Sequence, residues 1–282
     1  MTLKNLQNNF QSELKGLFPP EEINSFYYLL CESLLGLNRL SIALDPQKNV
    51  NQQNHTSFVK ALNLLKKEYP IQYIIGETEF MGLTLKVNEH VLIPRPETEE
   101  LIDWIITSSH KKEVKSFVDI GTGSGCIAVA LAKQLPKASA KAIDISNAAL
   151  QLAKLNAINN EVNISFSCQD ILNTDRLPNK FDIIVSNPPY VRECEKKEMH
   201  NNVLKYEPDL ALYVPDEDPL LFYKKIAELA LNSLNPGGFL FFEINQYLGN
   251  ELLQLLDGIG FNSIEIKTDL YGADRMIRAV KN

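Results

Sequence analysis

Paired cysteines are missing from this sequence. The four present, Cys31, Cys126, Cys168 and Cys194, are scattered, with no C-x-x-C pair. A disulfide framework and a thiolate metal site are therefore not expected, and the thiols read as reduced. No apolar run reaches the ~18 residues that a membrane span needs. The opening stretch, MTLKNLQNNFQSELKG, lacks a basic-then-apolar leader. A cytoplasmic chain with no membrane partner is expected. Basic residues are in deficit, 28 Lys and Arg against 35 Asp and Glu, for a net charge of −7. Residues 1–90 hold 8 basic and 9 acidic residues, so −6 of the excess lies in 91–282. Binding a phosphate backbone calls for clustered Lys and Arg, and no basic stripe with interleaved aromatics is present, so a direct nucleic-acid partner is disfavoured. The four histidines, His55, His90, His110 and His200, show no H-x-x-x-H or other paired-ligand spacing, and no G-x-S-x-G elbow occurs. Histidine metal centres and hydrolase triads are thus not expected.

What is there is an ordinary globular composition, 45% hydrophobic and 22% charged over 282 residues, long enough for about two domains. Residues 1–70 read as helical. Pro19-Pro20 precede Glu21 and Glu22, and Phe26, Tyr27, Leu29, Leu30, Leu34, Leu35 and Leu37 follow at three-to-four spacing. Thr56 is a candidate cap for a second segment carrying Phe58, Leu62, Leu64 and Leu65, and the polar stretch 45–55 reads as a loop. Such a bundle either packs or docks a partner. Residues 71–93 alternate around Gly76 and Gly82, which predicts a hairpin linking the two parts. From Pro94 to the end, apolar strands at 116–120, 141–145, 163–168, 181–186 and 238–244 alternate with helices near 126–135, 147–159, 219–233 and 246–257. That rhythm predicts an α/β domain, a mostly parallel sheet covered on both faces. SIEIKT and RMIRAV close the chain with no long helix between them, so one of these two strands is expected to be antiparallel.

The strand 116–120 runs from Asp119 into Gly121-Thr122-Gly123-Ser124-Gly125. Ligands of such sheets bind beyond the carboxyl ends of the strands, where glycines let the backbone come close. The spacing is G-x-G-x-G, one residue short of the dinucleotide fingerprint, and no Lys-Ser/Thr follows, which disfavours a P-loop. The second strand ends at Asp144, 23 positions after Gly121, where a carboxylate can accept both hydroxyls of a ribose. Taken alone, Asp144 reads equally as a helix cap. The third strand ends in Gln169-Asp170, within reach of an adenine edge, and Asp119 can face a cationic amino-acid group. This ordered set suits S-adenosylmethionine.

The fourth strand ends in Ser186-Asn187-Pro188-Pro189-Tyr190. Two prolines remove two donors and fix two φ angles. What remains is a stiff corner offering the Asn187 side-chain oxygen and the Pro188 carbonyl as acceptors, matched to a planar NH₂ group. The Tyr190 ring is a candidate platform for that group. Glycine loop and Asn-Pro-Pro-Tyr together resemble class I amino-methyltransferases acting on planar nitrogens. Further segments narrow the resemblance: Ile93-Pro94-Arg95-Pro96-Glu97-Thr98-Glu99-Glu100-Leu101, Tyr206-Glu207-Pro208-Asp209-Leu210-Ala211-Leu212, Gly237-Gly238-Phe239-Leu240, Phe242-Glu243 and Tyr271-Gly272-Ala273-Asp274-Arg275. In this order the chain resembles, along its whole length, the release-factor glutamine methyltransferases, the HemK/PrmC family.

The resemblance implies a Rossmann-like methyltransferase domain with a seven-stranded sheet over 94–282, and a partner-binding helical domain over 1–70. It implies cofactor contacts at Gly121, Thr122, Gly123, Ser124, Gly125, Asp144 and near Asp170-Ile171, with Asn187 shared between cofactor and substrate. Substrate contacts are implied at Asn187, Pro188, Pro189 and Tyr190, with Asn187, Pro188 and Tyr190 in the catalytic corner. Relatives often carry a bulky aromatic at the position of Ile171, and more often His-Gly at that of Ile244-Asn245. The implied reaction methylates N5 of the glutamine in the Gly-Gly-Gln motif of bacterial class-1 peptide-chain release factors, with S-adenosyl-L-homocysteine as second product. The acids in 97–100 read as a helix's first turn, with a second role near the site as the alternative. A nucleic-acid amino-methyltransferase acting on adenine N6 or guanine N2 would carry the same corner. Residues 191–220, with 4 basic and 8 acidic residues, favour a basic protein partner. The third alternative is a non-catalytic binding module, against which the complete glycine loop and Asn187 argue. A monomer is expected.

Overall fold

The computed structural model describes residues 1–110 and 112–282 and divides them into two compact units. One comprises Met1–Gly76 with His200–Tyr206, the other Glu77–Met199 with Glu207–Asn282. The first unit is built on α1 (Leu3–Leu14), α2 (Pro20–Leu35), α3 (Arg39–Leu44), α4 (Gln52–Leu65) and α5 (Ile71–Ile75). Pro20 opens α2, Glu21 and Glu22 occupy its first turn, and Gly36 closes it in the left-handed region at φ 64°. Phe10 meets Tyr27 and Phe58 edge-on, each at 6.2 Å. The Tyr27 hydroxyl is spent on the Leu3 carbonyl at 3.0 Å, so this core buries no free donor there.

Three sequence expectations are corrected here. Thr56 does not cap α4. Asn51 does, in an extended conformation, accepting from the Asn54 amide at 2.8 Å, and the helix therefore starts within the stretch read as a loop. The Thr56 hydroxyl instead donates back to the Gln52 carbonyl. The hairpin expected over 71–93 begins later. Ile71–Ile75 forms α5, bounded by Pro70 and by Gly76 at φ 80°, because IQYII satisfies helical spacing as well as alternation. Only β1 (Glu77–Phe80) and β2 (Leu83–Lys86) form the antiparallel pair.

The second unit continues with α6 (Pro96–Ser109), β3 (Ser116–Ile120), α7 (Cys126–Gln134), β4 (Ser139–Asp144), α8 (Asn147–Asn159), β5 (Ile164–Cys168), β6 (Phe181–Ser186) and β7 (Val191–Arg192). Next comes α9 (Asn201–Tyr206), which clusters with the first unit, the third correction to the expected 94–282 domain. Lys205 Nζ lies 2.9 Å from Glu68 Oε2, and the Tyr206 ring packs on Tyr69 at 4.9 Å. The chain then forms β8 (Tyr213–Val214), α10 (Leu221–Ser233), β9 (Leu234–Glu243), α11 (Gly249–Ile259), β10 (Asn262–Thr268) and β11 (Asp274–Val280).

Seven strands make one sheet in the order β10-β11-β9-β6-β3-β4-β5. β3 pairs in parallel with β4 and β6, β4 with β5, and β6 with β9, while β11 is antiparallel to both neighbours. Strand periodicity splits the core in two. Phe117, Ile183 and Phe241 join the cluster with Trp104 and Leu131. Val118, Ile184 and Phe242 face the other way, into the cluster with Ile226 and Leu252. Chain order reverses between β3 and β6, which leaves a crevice beyond their carboxyl ends. Among the described residues no helix is long and apolar enough to cross a membrane. Replacing Asn51 by Ala should cost about 1 kcal/mol of stability in denaturant titration, and Thr56→Ala clearly less, because only Asn51 satisfies an orphan N–H at the start of α4.

Candidate active site

A cavity of about 340 Å³ opens beyond the carboxyl ends of β3, β4, β5 and β6, within the usual range for a small-molecule site. The glycine loop forms its floor. Gly121 and Thr122 donate N–H groups to the Ile143 carbonyl at 2.9 and 3.0 Å, tying the loop to β4. Gly123 sits at φ 53° and donates to Asp144 Oδ2 at 2.8 Å. Gly125, at φ 82°, starts α7, and a Cβ there would meet Ala153 Cβ at 3.0 Å. Any side chain at 125 would therefore strain the backbone and collide with α8.

Asp144 stands at the cavity wall with Oδ1 accepting from the Ser146 amide at 2.8 Å. Each of its oxygens keeps a lone pair for a ligand. Burial raises its pKa against the pull of these amides. Asp170 and Ile171 line the same cavity. Asp170 Oδ1 accepts from the Leu172 amide at 2.9 Å, which shapes the turn after β5.

The Asn-Pro-Pro corner forms the facing wall. Asn187, Pro188 and Pro189 line the cavity, and a Cβ built on Gly121 would lie 3.9 Å from the Asn187 carbonyl oxygen. Ser186 Oγ donates to the Ile120 carbonyl at 2.6 Å, pinning the end of β6 to the end of β3. Among the described residues the Asn187 carboxamide has no hydrogen-bond partner, so its oxygen is free to accept.

Three residues expected at the site do not line the cavity: Asp119, Gly125 and Tyr190. Asp119 is fully buried beneath the loop, where Oδ2 accepts from Thr122 Oγ1 at 2.6 Å. Its Oδ1 has no partner of hydrogen-bond geometry. Burial, with Asp144 nearby, pushes its pKa up to about 7 against the hydrogen bond from Thr122. The Tyr190 ring packs against the cluster beneath α10 and α11, and its hydroxyl donates to Glu243 Oε1 at 3.1 Å. A buried carboxylate needs donors, which draws the ring away from the platform position expected of it.

The cavity suits S-adenosylmethionine on its own chemistry. Ser124 Oγ is buried on its wall without a partner, and no atom lies within 4 Å of a Cβ on Gly123. The amino end of α7, where Cys126 and Ile127 line the cavity, favours a carboxylate. Asp144 is a carboxylate on the cavity wall, and Asp119 is an acid buried beneath the glycine loop. Among the described residues no group of three His, Cys, Asp or Glu could hold a metal ion.

Comparison with known proteins points the same way. Residues 5–76 match the PrmC N-terminal domain family and residues 101–207 the methyltransferase small domain family. The release factor glutamine methyltransferase of Flavobacterium psychrophilum is 51% identical over 282 residues, covering 99% of both chains. The chain belongs to the release factor glutamine methyltransferase family. The Bacteroides thetaiotaomicron member is 42% identical over 95% of this chain and 96% of its own. In fold, this family member is similar to a Pyrococcus furiosus methyltransferase, with a TM-score of 0.53 at 18% identity over 82% of this chain and all of that one. It is also similar to a Thermus thermophilus 16S rRNA N2 G1207 methyltransferase solved with AdoMet and guanosine, with a TM-score of 0.52 at 20% identity over 73% and 50%.

Sequence reasoning gave no role to several residues that build the site of this family member. Glu207 is buried, accepts from the Ile93 amide at 3.1 Å, and pairs with Arg95 Nη2 at 2.6 Å. This ties together two stretches that contribute to the cavity rim, one through Pro94 and Arg95 and the other through Pro208 and Leu210. Glu243 Oε2 accepts from Thr98 Oγ1 at 2.6 Å. Their motifs were visible, and their partners, more than a hundred positions away, were not. Of the acids in 97–100, Glu99 accepts from the Met81 amide at 2.6 Å and Glu100 from the Leu270 amide at 3.3 Å, so both brace loops. Asp119 binds more protons in the folded than in the unfolded chain between about pH 4 and 7. Its contribution to stability therefore falls as pH rises through that window and is constant above it. Asp119→Asn should reduce the loss of stability between pH 5 and pH 8 by about 1–3 kcal/mol, measured by urea unfolding of both proteins.

Proposed function

We propose that this protein transfers a methyl group from S-adenosylmethionine to the side-chain amide nitrogen of the glutamine in the Gly-Gly-Gln motif of bacterial class-1 peptide-chain release factors. It does so as a cytoplasmic monomer without a nucleic-acid partner. The observation that carries the reading is the meeting of the glycine loop and the Asn-Pro-Pro corner on one cavity, with Asn187 beside Gly121. When bound, S-adenosylmethionine supplies a methyl group made electrophilic by its cationic sulfur. The backbone of Gly121–Ser124 would hold it, Asp144 would take the ribose hydroxyls, and Asp170 and Ile171 would border the adenine. Ser124 would face the amino-acid end, and Asp119 would oppose positive charge from below the loop.

An amide nitrogen is a weak nucleophile because its lone pair is delocalised into the carbonyl. Asn187 Oδ1 and the Pro188 carbonyl accept its two hydrogens, which fixes the orientation of the NH₂ group and pushes electron density onto nitrogen. Pro188 and Pro189 have no N–H to compete for these acceptors. Holding both reactants in register is worth roughly 7–11 kcal/mol of the barrier. The two acceptors bind more strongly as positive charge grows on nitrogen, so they stabilise the transition state more than the ground state. The methylated, still-protonated amide is acidic enough to lose its proton to water, so the corner needs no base. The acidic surround of residues 191–220 suits a basic protein surface better than a phosphate chain.

Purified release factor, DNA and RNA should each be offered with labelled cofactor. Label is expected in the release factor, on the Gly-Gly-Gln glutamine by mass spectrometry; label in nucleic acid alone would overturn the reading. Asn187→Ala should lower kcat by ~10²-fold and leave the cofactor Kd within about twofold by calorimetry. Unimpaired turnover in that variant would remove Asn187 from the mechanism.

A further inference from the structure

Tyr190, which closes the Asn-Pro-Pro corner, is held at both its ends. Its hydroxyl donates to Glu243 Oε1 at 3.1 Å, and the other oxygen of Glu243 is occupied by Thr98. Its main-chain carbonyl accepts from Asn245 Nδ2 at 3.0 Å. The same amide nitrogen reaches Glu195 Oε2 at 2.9 Å. That carboxylate accepts in turn from the Arg192 amide at 2.8 Å and guanidinium at 2.9 Å. Asn245 Oδ1 accepts from the Tyr247 amide at 3.0 Å, and the main-chain N–H of Asn245 donates to the Tyr223 hydroxyl at 3.3 Å. Asn245 is 5% exposed. With two acceptors on its NH₂ side and a donor on its oxygen side, its carboxamide can lie only one way round.

We infer that Asn245 is a positioning residue for the methyl transfer. It fixes the Tyr190 carbonyl, and through it the placement of the Asn187 and Pro188 acceptors on the cavity wall. The inference rests on the role proposed above for Asn187 and Pro188. The mechanical argument lies in the corner itself. Between Asn187 and Tyr190 two φ angles are fixed by proline rings, so a shift at Tyr190 is passed back to Asn187 with little slack. On the far side the chain is already held, since the Val191 amide donates to the Leu212 carbonyl at 2.9 Å and β7 pairs with β8. Asn245 closes the gap between those two fixed points, and the Glu243–Tyr190 hydrogen bond is a second hold on the same residue. Misplacement of reacting groups by about 1 Å can cost ~10²-fold in rate, so a partial loosening is visible in kcat.

The test compares Asn245→Ala, Asn187→Ala and the double variant with the parent, by kcat and KM on a purified release factor and by calorimetric cofactor Kd. Asn245→Ala is expected to lower kcat by about tenfold, with KM and cofactor Kd each within about twofold. In the Asn187→Ala background, where the main acceptor is gone, the same change is expected to cost less than threefold, because coupled residues are not additive. An equal loss in both backgrounds, or a parent-like kcat for Asn245→Ala beside a crippled Asn187→Ala, would overturn the inference and leave the proposed function standing. A fully active Asn187→Ala would overturn that reading and this inference with it. Should Asn245→Ala not fold, Asn245→Leu, which keeps the size of the side chain and removes the NH₂ group that holds the Tyr190 carbonyl, takes its place with the same expectations.

Discussion

β3 and β6 lie side by side and run the same way, with Ile120 opposite Ser186 and the Ser186 hydroxyl donating to the Ile120 carbonyl at 2.6 Å. Because the strands are parallel, the loops that leave them emerge from the same edge of the sheet. One is the glycine loop and the other the Asn-Pro-Pro corner. The two loops come to line one cavity through this register alone. A slip of one residue would turn every side chain of β6 to the opposite face, and the cavity wall would lose Asn187.

Around that pairing the molecule spends its buried charge with care. Among the described residues, Asp119, Asp182, Glu207, Glu243 and Asp269 are buried acids, and each meets donors. Glu207 takes Arg95 and the Ile93 amide. Asp269 accepts from the Tyr271 and Ala273 amides and from Arg275. Asp182 accepts from the Lys115 and Ser116 amides. Asp119 alone keeps one oxygen without a hydrogen-bond partner, directly under the glycine loop. Burial of an unpaired acid is costly, and such cost is characteristic of functional sites. Glu243 is the other acid of interest. Its burial and the nearby Glu97 raise its pKa while Thr98 and Tyr190 supply hydrogen bonds, which makes it a mooring for the residue that follows the Asn-Pro-Pro corner.

Much of this was legible in order along the chain. Strands 116–120 and 181–186 were read to the residue because their apolar runs end abruptly at functional loops. The glycines at 121, 123 and 125 announced themselves by their spacing directly after a strand, and all three adopt positive φ, where glycine carries the least strain. Asp144 was legible because its position at the end of the second strand follows from the alternation of strand and helix. The start of α4 was misread because Asn51 and Thr56 are both good caps, and only the extended backbone at 51 decides between them. The hairpin boundary was misread because IQYII fits both periods, and the turn between Pro70 and Gly76, closed by hydrogen bonds from the Ile74 amide to the Pro70 carbonyl and from the Gly76 amide to the Gln72 carbonyl, makes it a helix.

By itself, the sequence determined the class of the sheet, the identity of the two loops and the kind of chemistry they carry, because these follow from local periodicity, proline and glycine stereochemistry and residue type. Only the tertiary structure decided that Asp119 lies under the loop, that Tyr190 turns toward Glu243, and that Asn245 grasps the Tyr190 carbonyl. It also decided that Asn201–Tyr206 packs with the amino-terminal helices. Each of these depends on a partner far away in sequence and on the direction of a side chain, and a buried polar group chooses its direction by where the remaining donors and acceptors happen to be.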